Sequence, residues 1–122
     1  MATRSFIGIQ NPDGTVTGVY CHHDGYLDGV GKILQENYTT VDAVQALVDL
    51  GSLSSLGEDL DVTQAYHRDR GESLDVSTYG SLGRLRFGDG GYEYLYVFTP
   101  EGWIVAERHK AEKPAFHRLQ VR

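Results

Sequence analysis

Cysteine is almost absent from this sequence. Cys21 is the single copy, so no intrachain disulfide can form and the fold must be held by packing alone. Proline is scarce, with three copies, and methionine and tryptophan occur once each. No apolar run approaches the roughly 20 residues that cross a bilayer, and Met1 to Ser5 lack the apolar core of a secretory leader. The expectation is a cytoplasmic protein with no membrane partner. Internal repeats and low-complexity tracts are missing too, which excludes solenoid and fibrous architectures. Excess positive charge is also lacking. The formal net charge is −6, which argues against a binder of long nucleic acid.

What remains is the composition of a globular domain: 122 residues, 40% hydrophobic and 23% charged. That length fits a single domain over residues 1–122 with a modest stability margin. Tyrosine is the unusual presence, with eight copies, and it suits both half-buried strands and binding surfaces. The charge is uneven. Residues 1–60 carry two bases against eight acids, residues 61–122 balance at nine each, and from Gly102 onward five bases face two acids.

Apolar periodicity predicts the elements. Ser5 to Gln10 and Thr15 to Cys21 read as strands joined by the turn Asn11-Pro12-Asp13-Gly14, an antiparallel hairpin. A helix is predicted from Leu27 to Asn37, with Leu27, Val30, Ile33 and Leu34 on one face. Gly29 and Gly31 inside it suggest a close backbone approach. A second helix, capped by Thr39 or Thr40, carries Val41, Val44, Leu47 and Val48 and stops at Gly51. Gly51 to Asp61 reads as loop, Val62 to His67 as a short strand and Arg68 to Glu72 as a turn. Tyr92 to Thr99 and Trp103 to Arg108 form a second hairpin, with Tyr92, Tyr94, Tyr96 and Phe98 on one face. Phe116 to Val121 reads as an edge strand guarded by charge. The fold class is therefore α+β, a mostly antiparallel sheet built from hairpins with two short helices packed on one face.

Two polar segments carry the candidate binding residues. In Tyr20-Cys21-His22-His23-Asp24-Gly25-Tyr26, the residues Cys21, His22, Asp24 and Tyr26 lie where a strand meets a helix. Cys, His and Asp are metal-ligand types, but the spacing fits no standard site, so no metal and no cofactor is assigned. A corner with Asp24 capping the helix explains the same residues. In Ala65-Tyr66-His67-Arg68-Asp69-Arg70-Gly71-Glu72, the candidates are Tyr66, His67, Arg68, Asp69, Arg70 and Glu72. A His beside Asp and Arg suits acid–base work or anion binding, and equally a salt-bridged turn. No complete catalytic constellation is present, so no catalytic residue is assigned. If the tyrosine stripe is open, it offers a stacking platform with Arg84, Arg86 and Arg108 as anion contacts; otherwise it is core.

The first segment, followed by Gly31 and Leu34, resembles a recurrent pattern in a family of short uncharacterised phage and prophage proteins. The likeness continues through Ser54-Ser55-Leu56-Gly57-Glu58, the second segment and the aromatic hairpin Tyr92 to Val105. An aromatic residue is common in that family at the place of His23, and a proline at the place of Leu27, so His23 receives no role. The resemblance implies a phage accessory protein working in the bacterial host cytosol. The leading expectation is a non-enzymatic protein that binds and modulates a host protein. Alternatives are a sequestering protein for a small anionic ligand such as a nucleotide-derived signal, with homodimerisation through an edge strand, and a small metal- or His/Cys-dependent hydrolase using Cys21, His22, His67, Asp69 and Glu72.

Overall fold

The computed structural model describes residues 2–122. The first hairpin pairs β1 (Ser5–Gln10) with β2 (Val16–Cys21), from Ser5 opposite Cys21 to Gln10 opposite Val16. Its turn is set by side chains: the Asp13 carboxylate accepts from the Thr15 amide and hydroxyl, and the Asn11 amide donates to the Thr15 and Thr17 hydroxyls.

The predicted first helix opens as a wider π turn over Leu27–Gly31 and continues as α1 (Lys32–Asn37). The two glycines do permit close approach. A Cβ on Gly29 would lie 2.3 Å from the Asp24 carbonyl oxygen, and one on Gly31 would touch the Tyr96 ring. α2 (Val41–Val48) begins at Thr40, whose hydroxyl accepts from the Ala43 amide.

The stretch after α2 differs from expectation. Leu53–Ser55 is a strand, β3, where a loop was expected. The strand expected over Val62 to His67 shrinks to β4 (Gln64–Ala65), and the turn expected after it is a short helix, α3 (Tyr66–Arg70). Both changes have one cause: β3 and β4 pair with each other and β3 docks on the end of β2, so tertiary pairing overrides weak local preference. β5 (Ser77–Tyr79) then lies against the other end of the same β2 edge. The second hairpin is β6 (Tyr94–Thr99) with β7 (Gly102–Glu107), and β8 (His117–Arg118) adds a short edge.

These eight strands form one mixed sheet in the order β4-β3-β2-β1-β6-β7-β8, with β5 also on β2. Most pairings are antiparallel, but β1 runs parallel to β6, and β2 runs parallel to β3. The class is α+β, as the sequence pattern indicated. No helix among the described residues is long and apolar enough to cross a membrane.

The sheet is buried on both faces. Ile7, Ile9, Val19, Tyr96, Phe98, Trp103 and Val105 face the helices and meet Val30, Leu34, Val44, Leu47 and Val48. Phe6, Val16, Leu95, Val97 and Ala106 face the other way and meet Leu85, Phe87 and Tyr92. Tyr92, Tyr96 and Phe98 of the tyrosine stripe are therefore core rather than platform, while Tyr94, at the start of β6, is half-buried and lines a surface hollow. Tyr96 is fully buried with its hydroxyl donating to the Gly25 carbonyl at 2.7 Å. Tyr92 departs from the stripe, because it precedes β6 and turns to the second face beside Phe6.

Phe6 explains the facing glycines Gly8 and Gly18. Its ring lies flat over both: a Cβ on Gly18 would sit 2.3 Å from the ring and 2.7 Å from the Ile7 carbonyl oxygen. Tyr79 and Tyr92 then meet the ring edge-on, each with centroids 5.7 Å away. Gly18→Ala should lower stability by roughly 1–3 kcal/mol through overpacking. Gly80→Ala, whose Cβ would meet nothing within 4 Å, should change it by less than about 0.5 kcal/mol. Urea unfolding of both variants checks this, and equal midpoints would refute the packing account.

β8 is held by charge. The Glu107 side chain, only 3% exposed, accepts from Lys110 at 2.8 Å and from His117 at 3.0 Å. The other ring nitrogen of His117, Nδ1, faces the Arg118 carbonyl oxygen at 3.1 Å. Burial pushes the Glu107 carboxyl up, and the bonds from Lys110 and His117 more than reverse it, leaving it below its ordinary value of 4.5. Its stabilising contribution is thus complete above about pH 4.5 and is lost as pH falls through the depressed folded value. The stability gap between wild type and Glu107→Gln should shrink as urea midpoints are followed from neutral pH to about pH 3; a constant gap would contradict this assignment.

Candidate functional site

The outer edge of β2 is split. β5 takes Val16 to Gly18, β3 takes Cys21, and Val19 and Tyr20 between them have no strand partner on that side. A cleft of about 580 Å³ opens at this fork. Tyr20 and His22 line it from β2, Ser52 from the start of β3, Tyr66 from α3, and Gly71, Glu72, Ser73 and Asp75 from the strand-free segment beyond. Residues from both polar motifs therefore converge on one cavity.

Alternation along β2 decides which residues of the first motif reach the cleft. Tyr20 and His22 share a side, and Cys21 points the opposite way, into the core under the helices. The Cys21 thiol is fully buried and donates weakly to the His23 carbonyl. Burial pushes its pKa up to about 12. Asp24 adopts a left-handed backbone, φ 59, and its carboxylate accepts from the Tyr26 hydroxyl rather than capping the helix. Tyr26 is exposed and lines a different hollow, with Tyr94 and His109.

His22 is oriented from behind. Arg4 Nε donates to the Tyr20 hydroxyl at 3.1 Å, and that hydroxyl approaches His22 Nδ1 at 2.5 Å. The Tyr20 hydroxyl thus links the Arg4 guanidinium to the His22 imidazole. Burial, His23 and Arg4 all hold the His22 pKa below its ordinary value of 6.5, so the ring is neutral at pH 7.

The charged residues of the second motif mostly build α3. Asp69 accepts from the Ala65 amide at 2.8 Å, satisfying an amide at the helix start, and also binds Arg68 through both carboxylate oxygens. These bonds hold the Asp69 carboxyl below its ordinary range. Arg68 reaches further, donating to the Leu60 and Thr63 carbonyls. Arg70 sits over the Tyr66 ring, 5.1 Å from its centroid. Gly71, at φ 70, ends the helix with its amide on the His67 carbonyl, an αL stop, and the Glu72 amide returns to the Tyr66 carbonyl. His67 Nδ1 donates to the Glu72 carbonyl at 2.8 Å, which fixes the loop that carries Glu72 into the cleft.

The structure thus brings together Tyr20, His22, Tyr66 and Glu72, and leaves Cys21, Asp24, Tyr26, His67, Arg68, Asp69 and Arg70 outside the cavity. Sequence reasoning missed Arg4, Ser52, Ser73 and Asp75. None belongs to a motif, and only the β2 fork makes them neighbours. The cleft offers carboxylates at Glu72 and Asp75, two serine hydroxyls, one imidazole and an aromatic wall. Among the described residues no group of three or more His, Cys, Asp and Glu side chains is placed to hold a metal ion.

No family model matches the chain, and no curated protein or solved structure matches it.

The Cys21 thiol should resist alkylation in the native state at pH 8 and react only on unfolding. Mass spectrometry after iodoacetamide, with and without urea, measures this. Rapid native labelling would show that the thiol reaches solvent.

Proposed function

We propose that this chain is a non-catalytic binding protein that modulates a host component, and that the cleft at the β2 fork is its recognition surface. The phage-accessory setting in a bacterial cytosol follows from the family resemblance of the two motifs. One observation carries the binding reading: the motif residues best suited to chemistry are committed elsewhere. The thiol lies behind the sheet, Arg68 and Asp69 are consumed in holding α3, and His67 spends its proton on a loop carbonyl. What they leave facing the cleft is shape, hydrogen-bonding groups and ring surface. Next to it, Leu74 is 53% exposed and Val76 40%, on the segment that crosses the sheet edge. An aromatic wall, apolar side chains and a polar rim on one fixed loop are the makings of a protein interface.

The test is capture from a bacterial host lysate on the immobilised chain, comparing wild type with Tyr66→Ala and Glu72→Lys. Val41→Ser, at an exposed position on α2, serves as the control. One protein should be retained stoichiometrically by wild type and the control, and its affinity should fall at least about tenfold in the cleft variants, as for an interface anchor. Hydrogen exchange should show protection of residues 71–75 in the complex. Retention indifferent to both cleft variants, or no partner at all, would reject the reading.

A further inference from the structure

Two hollows at the far end of the sheet share none of their lining with the β2 fork. One, of about 520 Å³, is lined by Arg86 and Phe87 on one side and by Arg108, His109, Lys110 and Glu112 on the other. The second, of about 480 Å³, lies against the same Arg108 and His109 and is walled by Tyr26 and Tyr94. Together they place a pair of guanidinium groups beside a pair of tyrosine rings.

The two arginines are in different states. Arg86 Nη1 donates to the Gly83 and Leu85 carbonyls, at 2.5 and 2.7 Å, so its head is fixed while its other N–H groups stay free. Arg108 has no side-chain hydrogen bond or ion pair among the described residues. Lys110 adds little free charge here, because it is bound to the buried Glu107. Glu112 opposes one of the two guanidinium charges in the first hollow, which alone keeps a cationic excess, since Glu93 lines the second. Two guanidinium groups on one cavity repel each other unless an anion lies between them, and their planar forks match phosphoryl oxygens.

The adjoining hollow supplies what a bare anion would not use. Tyr26 is 43% exposed, and Tyr94 stacks on Tyr96 with an interplanar angle of 13°, which steadies its ring. Glu93 lines this hollow as well, where it can accept from ring amino groups or sugar hydroxyls.

We propose that these hollows form one bipartite site for a nucleoside monophosphate, with the phosphate between Arg86 and Arg108 and the base against Tyr26 and Tyr94. Cavities of this size hold ligands of that class. Stacking of a base on an aromatic ring is sequence-tolerant, so the site takes the class rather than one base.

Calorimetric titration of the full chain with AMP, inorganic phosphate and adenosine tests the proposal. AMP should bind more tightly than either fragment. Arg108→Ala removes a side chain with no internal partner, so the fold should persist, and AMP affinity should fall roughly ten- to hundredfold. Tyr26→Ala should bring AMP down to the affinity of inorganic phosphate. Independently of any variant, AMP should slow amide exchange at residues 86–88 and 108–111 of the wild type. AMP binding no tighter than phosphate, affinity unmoved by Arg108→Ala, or protection confined to the β2 fork would each overturn it.

Discussion

The parallel pairing of β1 with β6 at the centre of the sheet is the constraint from which most of this structure follows. Ser5 to Ile9 and Leu95 to Thr99 are buried without a break, so the two strands are covered above and below. A strand buried on both faces needs an apolar layer on each, and a chain of this length has material for two thin ones. The helices supply one. The other is the irregular stretch from Tyr79 to Tyr92, with Leu85 and Phe87 as its anchors. Polar tips on the large aromatics keep the helical layer in place: Tyr96 donates to Gly25, Trp103 to Tyr38, and Tyr38 to Gly57. Each satisfies a carbonyl that would otherwise be buried unpaired.

Covering both faces forces the chain to pass from one to the other. It does so between α3 and β5, past the outer edge of β2. That edge cannot be paired along its whole length, because β3 arrives from the helix side and β5 leaves for the opposite side. The unpaired interval at Val19 and Tyr20 is the floor of the cleft. The candidate site is thus a by-product of topology that specific residues have furnished: Asp69 and Arg68 fix α3, Gly71 turns the chain, and His67 holds the loop that presents Glu72.

The parts of the fold readable from sequence are those decided by local chemistry. Asn11-Pro12-Asp13-Gly14 and Pro100-Glu101-Gly102 mark both hairpins, and Thr40 marks the start of α2. The parts that were not readable are decided by distant partners. Leu53–Ser55 has no strand pattern of its own and becomes β3 only because β2 and β4 lie on either side of it. The parallel register of β1 and β6 leaves no local trace. The segment from Leu74 to Leu85 looks featureless because Tyr79, Leu82 and Leu85 answer to a sheet face and not to a helix or strand period, while Leu74 and Val76 are exposed. For the site, strand alternation already divides Cys21 from His22. The convergence of the two motifs was beyond sequence, since it depends on the crossover.

The same sheet order converts an uneven distribution of charge along the chain into one across the molecule. Residues 1–83 carry four bases against twelve acids, and residues 84–122 carry seven bases against five acids. With β1 near the middle, the β2-β3-β4 side is built from the acidic part and the β6-β7-β8 side from the basic part. The β2 fork has Glu72 and Asp75 on its lining, and the hollow at the other end has Arg86 and Arg108. A net charge of −6 would repel an anion approaching at random. Charges sorted in this way act locally, over distances on the order of 8–10 Å at physiological salt, rather than through the net charge. The topology that buries the central strands thus also sorts the charges between the two candidate surfaces.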